Sequence, residues 1–190
     1  MGGLPGRVRQ HPHCYSWPAY RSAELTRDGF EQIIERFHIR TVINLRGASP
    51  GKPWYDNELA AALAGGTQHV DLRMSATHGP DHAKLHEIET VLAHAETPIL
   101  VHCQAGADRS GLVAALYEYW IAHRPPAEAG AQLSFRYGHF PWLDNRTSAM
   151  DEAWRSVVRQ GGSVTPRAVL AWVRSCDQLS WDRRWTAGRS

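Results

Sequence analysis

The chain of 190 residues is long enough for one domain of ordinary size, and its 43% apolar and 21% charged residues exclude wholesale disorder and collagen-like repeats. A formal net charge of +2 excludes a nucleic-acid binder that works by electrostatics, because such a protein carries a marked basic excess. Of the 21 basic residues only Lys52 and Lys84 are lysines, and the arginine excess fits either genome composition or the recognition of phosphate and carboxylate groups.

Membrane and export signals are missing from the sequence as given. It has no run of about eighteen apolar residues, the length that a membrane-spanning helix needs, and its first residues lack the apolar core of a signal peptide. Cys14, Cys103 and Cys176 are an odd number without a CxxC spacing, which argues against a disulfide framework or a structural zinc site. We therefore expect a protein of the reducing cytoplasm.

Predicted strands alternate with predicted helices through the first half of the chain. Thr26 can cap a helix whose apolar residues recur at i, i+3, i+4 and i+7 from Phe30 onward. The wholly apolar run at 99–101 is typical of a strand buried on both faces. In chain order we predict a helix after Thr26, a strand at 41–45, a helix at 54–64, a strand at 67–72, a helix at 81–95 and a strand at 99–101.

The second half is predicted to be helical, with helices at 110–123, 127–135 and 147–159 and a last one that opens at Thr165-Pro166. Alternating strands and helices indicate an α/β fold with a central, largely parallel sheet flanked by helices. We expect a flexible arm at 1–13, a main domain at 14–160 and a helical extension at 161–190. The extension is too short to fold alone and is expected to pack on the main domain.

The segment between the last strand and the next helix carries the chemistry. It reads His102-Cys103-Gln104-Ala105-Gly106-Ala107-Asp108-Arg109-Ser110-Gly111. At such a junction, backbone N–H groups and the positive end of the helix converge on the turn, which can then wrap a phosphate dianion. Arg109 can bind two phosphate oxygens, and these positive groups favour a thiolate at Cys103, which makes it a phosphate-directed nucleophile. Ser110 can hydrogen-bond the sulfur and ease its departure from a phosphocysteine.

The spacing of this motif has to be weighed against chance. A Cys-x5-Arg pair alone arises by chance about one time in three at this composition. Requiring also the preceding His, the Gly three residues after the Cys and the Ser-Gly after the Arg lowers that chance to on the order of 10⁻⁵. A buried cysteine in an ordinary glycine turn is therefore the minor alternative.

The segment resembles the signature of the cysteine-dependent protein tyrosine phosphatase superfamily, and GADRSG resembles the loop of its small bacterial dual-specificity-like members. The segments at 20–23, 43–46 and 137–139 are also similar to those proteins, so the resemblance covers residues 15–155. It implies a tyrosine-phosphatase-like fold with four or five strands, a phosphatase domain at 14–160 and hydrolysis in two steps without a metal or cofactor. The residues that it implies in phosphate binding are Gln104, Ala105, Gly106, Ala107, Asp108, Arg109 and Ser110.

The resemblance also implies a general acid, an aspartate on a loop upstream of the cysteine. Asp71, at the end of a predicted strand, matches the familial position, and Asp81 on the far side of the loop at 73–80 is the competitor. Because Asp81 follows Pro80, it would also make a good helix cap. The Trp-Pro-Asp of the larger tyrosine-specific enzymes is missing, so the assignment to Asp71 depends on its placement.

Other polar residues have competing interpretations. Arg46 follows a strand at the same edge of the sheet and is predicted to contact substrate, the alternative being a surface salt bridge. His102 is expected to orient the cysteine loop through hydrogen bonds, and Asp108 to point away from the dianion. Two clusters could suggest a metal site but are more consistent with solvated surface: His78, His82 and His86, and His11, His13 and Cys14. The tryptophans Trp172, Trp181 and Trp185 are more consistent with packing than with a membrane contact.

The expected substrate is a phosphotyrosine-sized or simple phosphomonoester, on a protein or on a small molecule. Members of the superfamily that act on lipids or inositol phosphates often place lysines within the loop, and this loop has none. A phospholipid or phosphoinositide phosphatase is the alternative enzyme. A non-catalytic phospho-ligand binding module is disfavoured because the chain keeps both Cys103 and Arg109.

Overall fold

The computed structural model describes residues 19–140 and 148–161. Several predictions lie outside these ranges and stay predictions. They concern the arm at 1–13, the cluster of His11, His13 and Cys14, the second cysteine Cys176, the helix after Thr165, the tryptophans Trp172, Trp181 and Trp185, and the extension beyond Gly161.

Four short parallel strands form the sheet. They are β1 (Ala19–Ser22), β2 (Thr41–Asn44), β3 (Gln68–Asp71) and β4 (Ile99–His102), in the spatial order β1-β4-β2-β3. Every residue of the inner strands β2 and β4 is buried, as a parallel sheet covered on both faces requires. The expected α/β fold with a parallel sheet of four to five strands is confirmed, with four strands in the described ranges.

Helices cover both faces of this sheet. They are α1 (Arg27–Phe37), α2 (Pro53–Ala64), α3 (His82–His94), α4 (Asp108–Leu116), α5 (Pro126–Ala129) and α6 (Ser148–Arg159). Side chains alternate along the inner strands, so Val42 and Leu100 pack with the apolar residues of α1, whereas Ile43 and Val101 pack with those of α3, α4 and α6. Within the described ranges, no helix has both the length and the apolar character needed to cross a membrane.

The helices differ from the predicted ones after β4. The fourth helix begins at Asp108 rather than Ser110, because an acidic residue is favourable in a first helical turn, and it continues after Leu116 as a π-helical turn at Tyr117–Ile121. The predicted helix at 127–135 is wrong. Only α5 is α-helical, and 3-10 turns follow at Gly130–Gln132 and Phe135–Tyr137. Gly130, a poor helix former, lies where a Cβ would be 2.7 Å from Nε1 of Trp154.

A buried arginine, Arg21, links β1 by hydrogen bonds to the segment at 132–137. Arg21 is 4% exposed, and its Nη1 donates to the carbonyl and the side-chain oxygen of Gln132, at 2.9 and 3.1 Å. Its Nη2 donates to Tyr137 O at 3.1 Å, and the guanidinium lies 4.6 Å from the centre of the Tyr137 ring. These contacts link the strand at the edge of the sheet to a segment more than a hundred residues later in the chain.

Candidate active site

The carboxyl ends of three strands bring the polar residues of the predicted site to one edge of the sheet. Asn44 at the end of β2 is in register with His102 on β4 and with Asp71 on β3. Hydrogen bonds continue beyond the strands, from Leu45 N to His102 O at 3.0 Å and from Leu72 N to Asn44 O at 2.9 Å. Ligands of open α/β sheets bind at this edge, so the candidate site lies here.

Cys103 lies at the floor of the loop that joins β4 to α4, with 2% of its surface exposed. Gly106 N–H donates to its Sγ at 3.3 Å, and the Ser110 hydroxyl lies 3.6 Å from the same sulfur. Gly106 has a φ of +70°, and a Cβ there would lie 2.5 Å from the backbone nitrogen of Ala23. Only glycine fits this position, so the tight turn that brings an N–H group to the sulfur depends on it.

Arg109, in the first turn of α4, reaches the loops that follow β2 and β3. Its Nη1 donates to Leu45 O and to Met74 O, both at 3.4 Å, and Met74 N donates to Leu45 O at 3.1 Å. Both contacts of the half-buried guanidinium use the same nitrogen, and a guanidinium has five N–H donors. The side chain is therefore held in place while it keeps the fork geometry that suits a phosphate.

The residues predicted to bind phosphate form one continuous turn. Gln104 and Ala105 are exposed, Ala107 is buried, and the carbonyl of Gln104 accepts a hydrogen bond from Glu24 N at 3.2 Å. The turn is thus supported from the β1 side, and its role in phosphate binding stays a prediction.

Asp71, the predicted general acid, ends β3 with both carboxylate oxygens hydrogen-bonded. Oδ1 accepts from Asn44 Nδ2 at 3.0 Å, and Oδ2 accepts from the Tyr55 hydroxyl. Burial, together with the hydrogen bond to Asp71, raises the pKa of Tyr55, so the phenol keeps its proton and remains the donor. The competitor, Asp81, is exposed and caps α3 by accepting from Lys84 N at 2.8 Å. The structure thus gives Asp81 the capping role that its position after Pro80 suggested.

Arg46 makes the salt bridge that was the alternative to substrate contact. Its Nη1 donates to the carboxylate of Glu24, its guanidinium lies 3.5 Å from the centre of the Trp54 ring, and its N–H donates to Asn44 Oδ1 at 2.8 Å. The side chain is about a fifth exposed, at 21%. A direct contact of Arg46 with substrate stays a prediction, and it would have to coexist with this pair.

A buried carboxylate, Glu58 on α2, links two histidines behind the site. Its Oε1 is 2.8 Å from His102 Nε2 and 2.7 Å from His69 Nε2, and Nδ1 of His69 lies 3.9 Å from Asp71 Oδ2. Burial alone would raise the pKa of Glu58, but the hydrogen bonds from the two histidines outweigh it and lower the pKa. The His102 side chain therefore bonds α2 and makes no hydrogen bond to the cysteine loop, contrary to expectation. Nothing in the sequence singles out Glu58, because its burial depends on how α2 packs.

Replacing Glu58 tests this link. Glu58→Gln is expected to lower the free energy of unfolding by about 3 kcal/mol, because it removes a buried charge from its partners. The pKa of Glu58 is lower in the folded than in the unfolded chain, so its stabilisation is present above about pH 4.5 and is lost as the pH falls through the folded value. Urea unfolding of both proteins across this range measures the difference.

The control for Glu58 is Glu31→Gln, which alters a solvent-exposed pair with Arg27 and should leave the unfolding free energy nearly unchanged. A destabilisation of the Glu58 variant that is the same at every pH would contradict the assigned ionisation.

A second buried histidine lies on the other side of the loop. The His139 side chain is fully buried, with Nδ1 2.7 Å from Asp108 Oδ1 and Nε2 2.9 Å from Asp151 Oδ2. Asp108, which was expected to point away from the dianion, has its carboxylate bound to this ring. The sequence marks Tyr137-Gly138-His139 as similar to the family, but no local pattern assigns a role to His139.

The histidines at 78, 82 and 86 do not converge. His78 Nδ1 lies 2.9 Å from Thr77 Oγ1 on the loop before α3, while His82 and His86 are on α3 itself. Over residues 19–140 and 148–161, no group of three or more His, Cys, Asp or Glu side chains is arranged to hold a metal ion.

Residues 13–139 match a family model described as "DSP-PTPase phosphatase fused to NAD+ Kinase", which covers well over half of the chain and includes β1, the cysteine loop and His139. The chain belongs to the DSP-PTPase phosphatases. It is a phosphatase hydrolase of the cysteine-dependent protein tyrosine phosphatase superfamily, as the signature at 102–111 predicted. No curated protein sequence matches this phosphatase significantly.

Solved structures share the fold of the phosphatase at low sequence identity. A DUF442 protein from Shewanella putrefaciens CN-32 aligns with a TM-score of 0.58 and 18% identity, over 82% of this chain and 93% of that one. A cysteine-to-serine variant of P. aeruginosa TpbA in complex with pTyr aligns with a TM-score of 0.53 and 19% identity, over 82% and 96%. PTPMT1 aligns with a TM-score of 0.53 and 17% identity, over 77% and 94%.

Proposed function

We propose that this phosphatase hydrolyses phosphomonoesters through a phosphocysteine intermediate, with Cys103 as the nucleophile. The observation that carries the proposal is the arrangement around the Cys103 sulfur. The Gly106 N–H donates to this sulfur, and the Ser110 hydroxyl lies within hydrogen-bonding distance of it. Arg109, in the first turn of the helix that follows the loop, donates to the carbonyls of Leu45 and Met74. Such a site combines a nucleophile with donors for the phosphoryl oxygens.

In the first step the Cys103 thiolate attacks phosphorus and the bond between phosphorus and the ester oxygen breaks. The Arg109 guanidinium and the loop N–H groups bind the phosphoryl oxygens, where charge is distributed in the transition state. Asp71 gives its proton to the leaving oxygen, and the Ser110 hydroxyl is close enough to stabilise the sulfur. The products are an alcohol or phenol and phosphocysteine.

In the second step a water attacks phosphorus and the bond between sulfur and phosphorus breaks. The Asp71 carboxylate takes a proton from the water, which restores the acid, and Cys103 leaves as thiolate. Asp71 is two strand spacings, roughly 10 Å, from the backbone of His102. We expect a substrate bound in the loop to lie in this gap and to present its ester oxygen to Asp71.

The variant Asp71→Asn tests the general acid. We expect kcat to fall by about 10²-fold and the basic limb of the pH–rate profile to flatten, because the proton donor has been removed. The loss should be larger for phosphotyrosine than for p-nitrophenyl phosphate, whose leaving group needs less protonation. The matched variant is Asp81→Asn, which changes a helix cap and should leave the profile intact. If the two variants exchanged these effects, Asp81 would be the acid.

The reaction itself is tested with p-nitrophenyl phosphate in the presence of EDTA. Hydrolysis without metal, inhibition by vanadate and a phosphate adduct on Cys103 after rapid alkaline quenching are the expected results. A chain that binds phosphate but never turns over would instead be the phospho-ligand binding module.

The substrate class that we propose is a phosphotyrosine-sized monoester. Support comes from the loop, where the exposed side chains of Gln104 and Ala105 are uncharged, and from P. aeruginosa TpbA, whose structure contains pTyr in a similar fold. A panel of phosphotyrosine and phosphoserine peptides, a phosphoinositide and phosphatidylglycerophosphate measures the preference as kcat/KM. Highest kcat/KM for either lipid would make the chain a phospholipid or phosphoinositide phosphatase.

A further inference from the structure

One residue of the predicted phosphate-binding turn, Asp108, carries a negative charge of its own. Asp108 directly precedes Arg109 and begins α4, so its charge lies beside the place where the phosphate dianion would bind. Like charges at this separation repel, and the repulsion would weaken the affinity that the helix end and Arg109 create. The Asp108 carboxylate, however, is bound by the side chain of His139.

The hydrogen bonds of His139 define its charge. An ionised carboxylate can only accept hydrogen bonds, so both ring nitrogens must donate, one to Asp108 and one to Asp151. A neutral imidazole has a single N–H, and only the imidazolium makes both bonds. Burial would lower the pKa of His139, but the hydrogen bonds to Asp108 and Asp151 outweigh burial and raise it.

The surroundings of His139 hold it in this position. The backbone N–H of His139 donates to Ser134 O at 3.2 Å. The preceding residue, Gly138, has a φ of +80°, and a Cβ there would contact the Ala107 side chain at 3.8 Å. Among residues 19–140 and 148–161, the charged groups that face the ring are Asp108 from α4 and Asp151 from α6. From β1, Arg21 binds the carbonyl of Tyr137, two residues earlier. The ring therefore bridges the phosphate-binding turn and α6.

We propose that His139 is a positioning residue of the phosphate site, whose positive charge neutralises Asp108 and whose hydrogen bond holds that carboxylate away from the bound phosphate. Phosphate affinity then depends on the protonation of a residue that does not touch the substrate. The inference rests on the proposed function, because it assumes that the turn at 103–110 binds phosphate.

The test uses inorganic phosphate as the probe, with its dissociation constant measured by calorimetry at one pH below neutrality. His139→Gln keeps the size of the side chain but removes the charge, and we expect it to weaken phosphate binding by about tenfold. The double variant Asp108→Asn/His139→Gln should regain the affinity of Asp108→Asn to within about threefold, because no charge is left to neutralise. His94→Gln, on the exposed end of α3, is the matched control and should bind phosphate like the wild type.

These measurements separate electrostatics from folding. If His139 only held the structure together, the double variant would bind as weakly as His139→Gln or more weakly, and that result would overturn the proposal. An unchanged affinity in His139→Gln would overturn it as well.

A second readout needs no substitution at His139. As the pH rises, His139 loses its proton, Asp108 is no longer neutralised, and the affinity of the wild type falls relative to Asp108→Asn. Taking the ratio of the two dissociation constants cancels the titration of phosphate itself. A ratio that does not change with pH would contradict the proposal, even if the His139 variant fails to fold.

The outcomes also distinguish this inference from the proposed function. A wild-type chain that neither binds phosphate nor hydrolyses p-nitrophenyl phosphate would overturn both. A wild type that does both, combined with no rescue in the double variant, would overturn only the role of His139.

Discussion

Replacing Cys103 by serine is expected to lower kcat by at least about 10⁴-fold toward every phosphomonoester, because a serine hydroxyl in this loop is not ionised and is a poor nucleophile for phosphorus. The substitution exchanges one atom and leaves the Gly106 N–H and Ser110 hydroxyl in place. Binding of vanadate or phosphate should therefore survive while turnover is lost. Steady-state kinetics with p-nitrophenyl phosphate, together with calorimetric titration of phosphate, measures both quantities.

The chain provides its own controls for this prediction, since Cys14→Ser and Cys176→Ser make the same chemical change elsewhere. Both are expected to retain wild-type kcat. Turnover that persisted in the Cys103 variant would exclude a phosphocysteine intermediate, whatever the other two variants did.

Changing Arg109 to lysine should lower kcat/KM by on the order of 10³-fold, although the charge is kept. A lysine presents a single ammonium on a flexible stem, whereas the guanidinium offers two parallel N–H groups to the phosphoryl oxygens. A lysine also lacks the planar group that donates through Nη1 to the carbonyls of Leu45 and Met74. The vanadate inhibition constant should increase together with the loss of kcat/KM.

Arg27→Lys is the matched substitution, on an exposed helix face where the arginine pairs with Glu31. It is expected to leave kcat/KM unchanged. If Arg109→Lys behaved like Arg27→Lys, charge alone would suffice and the bidentate geometry would have no part in catalysis.

The sheet and the cysteine loop could be predicted from the sequence because local signals specify them. Apolar runs bounded by turn residues mark β2 and β4, Thr26 caps α1 with its hydroxyl accepting from Gly29 N at 3.2 Å, and Pro80 precedes the cap of α3 at Asp81. The family and its phosphatase activity followed from ten consecutive residues, and both are confirmed.

What the sequence could not predict depends on contacts between distant residues. Glu58 is an acidic residue in an alanine-rich helix, and only the packing of α2 on the sheet buries it against His102. His139 meets Asp108 and Asp151 only after α6 has packed beside α4. The helix expected at 127–135 was wrong because its glycine at 130 fits against Trp154 and a 3-10 turn replaces the α-helix there. Local propensity contains none of this information.

The attachment of β1 through Arg21 has a consequence for how the enzyme is made. Synthesis delivers β1 early, but its pairing strand β4 and the acceptors of Arg21 at Gln132 and Tyr137 are translated much later. The backbone of Ser22 and Ala23, against which the turn at Gly106 closes, therefore gains its anchoring contacts late in synthesis. A chain that stops between residues 104 and 131 therefore contains Cys103 but lacks both acceptors of Arg21, so that β1 is held by β4 without this anchor. We therefore expect the loop to reach its final shape only after most of the domain has been synthesised.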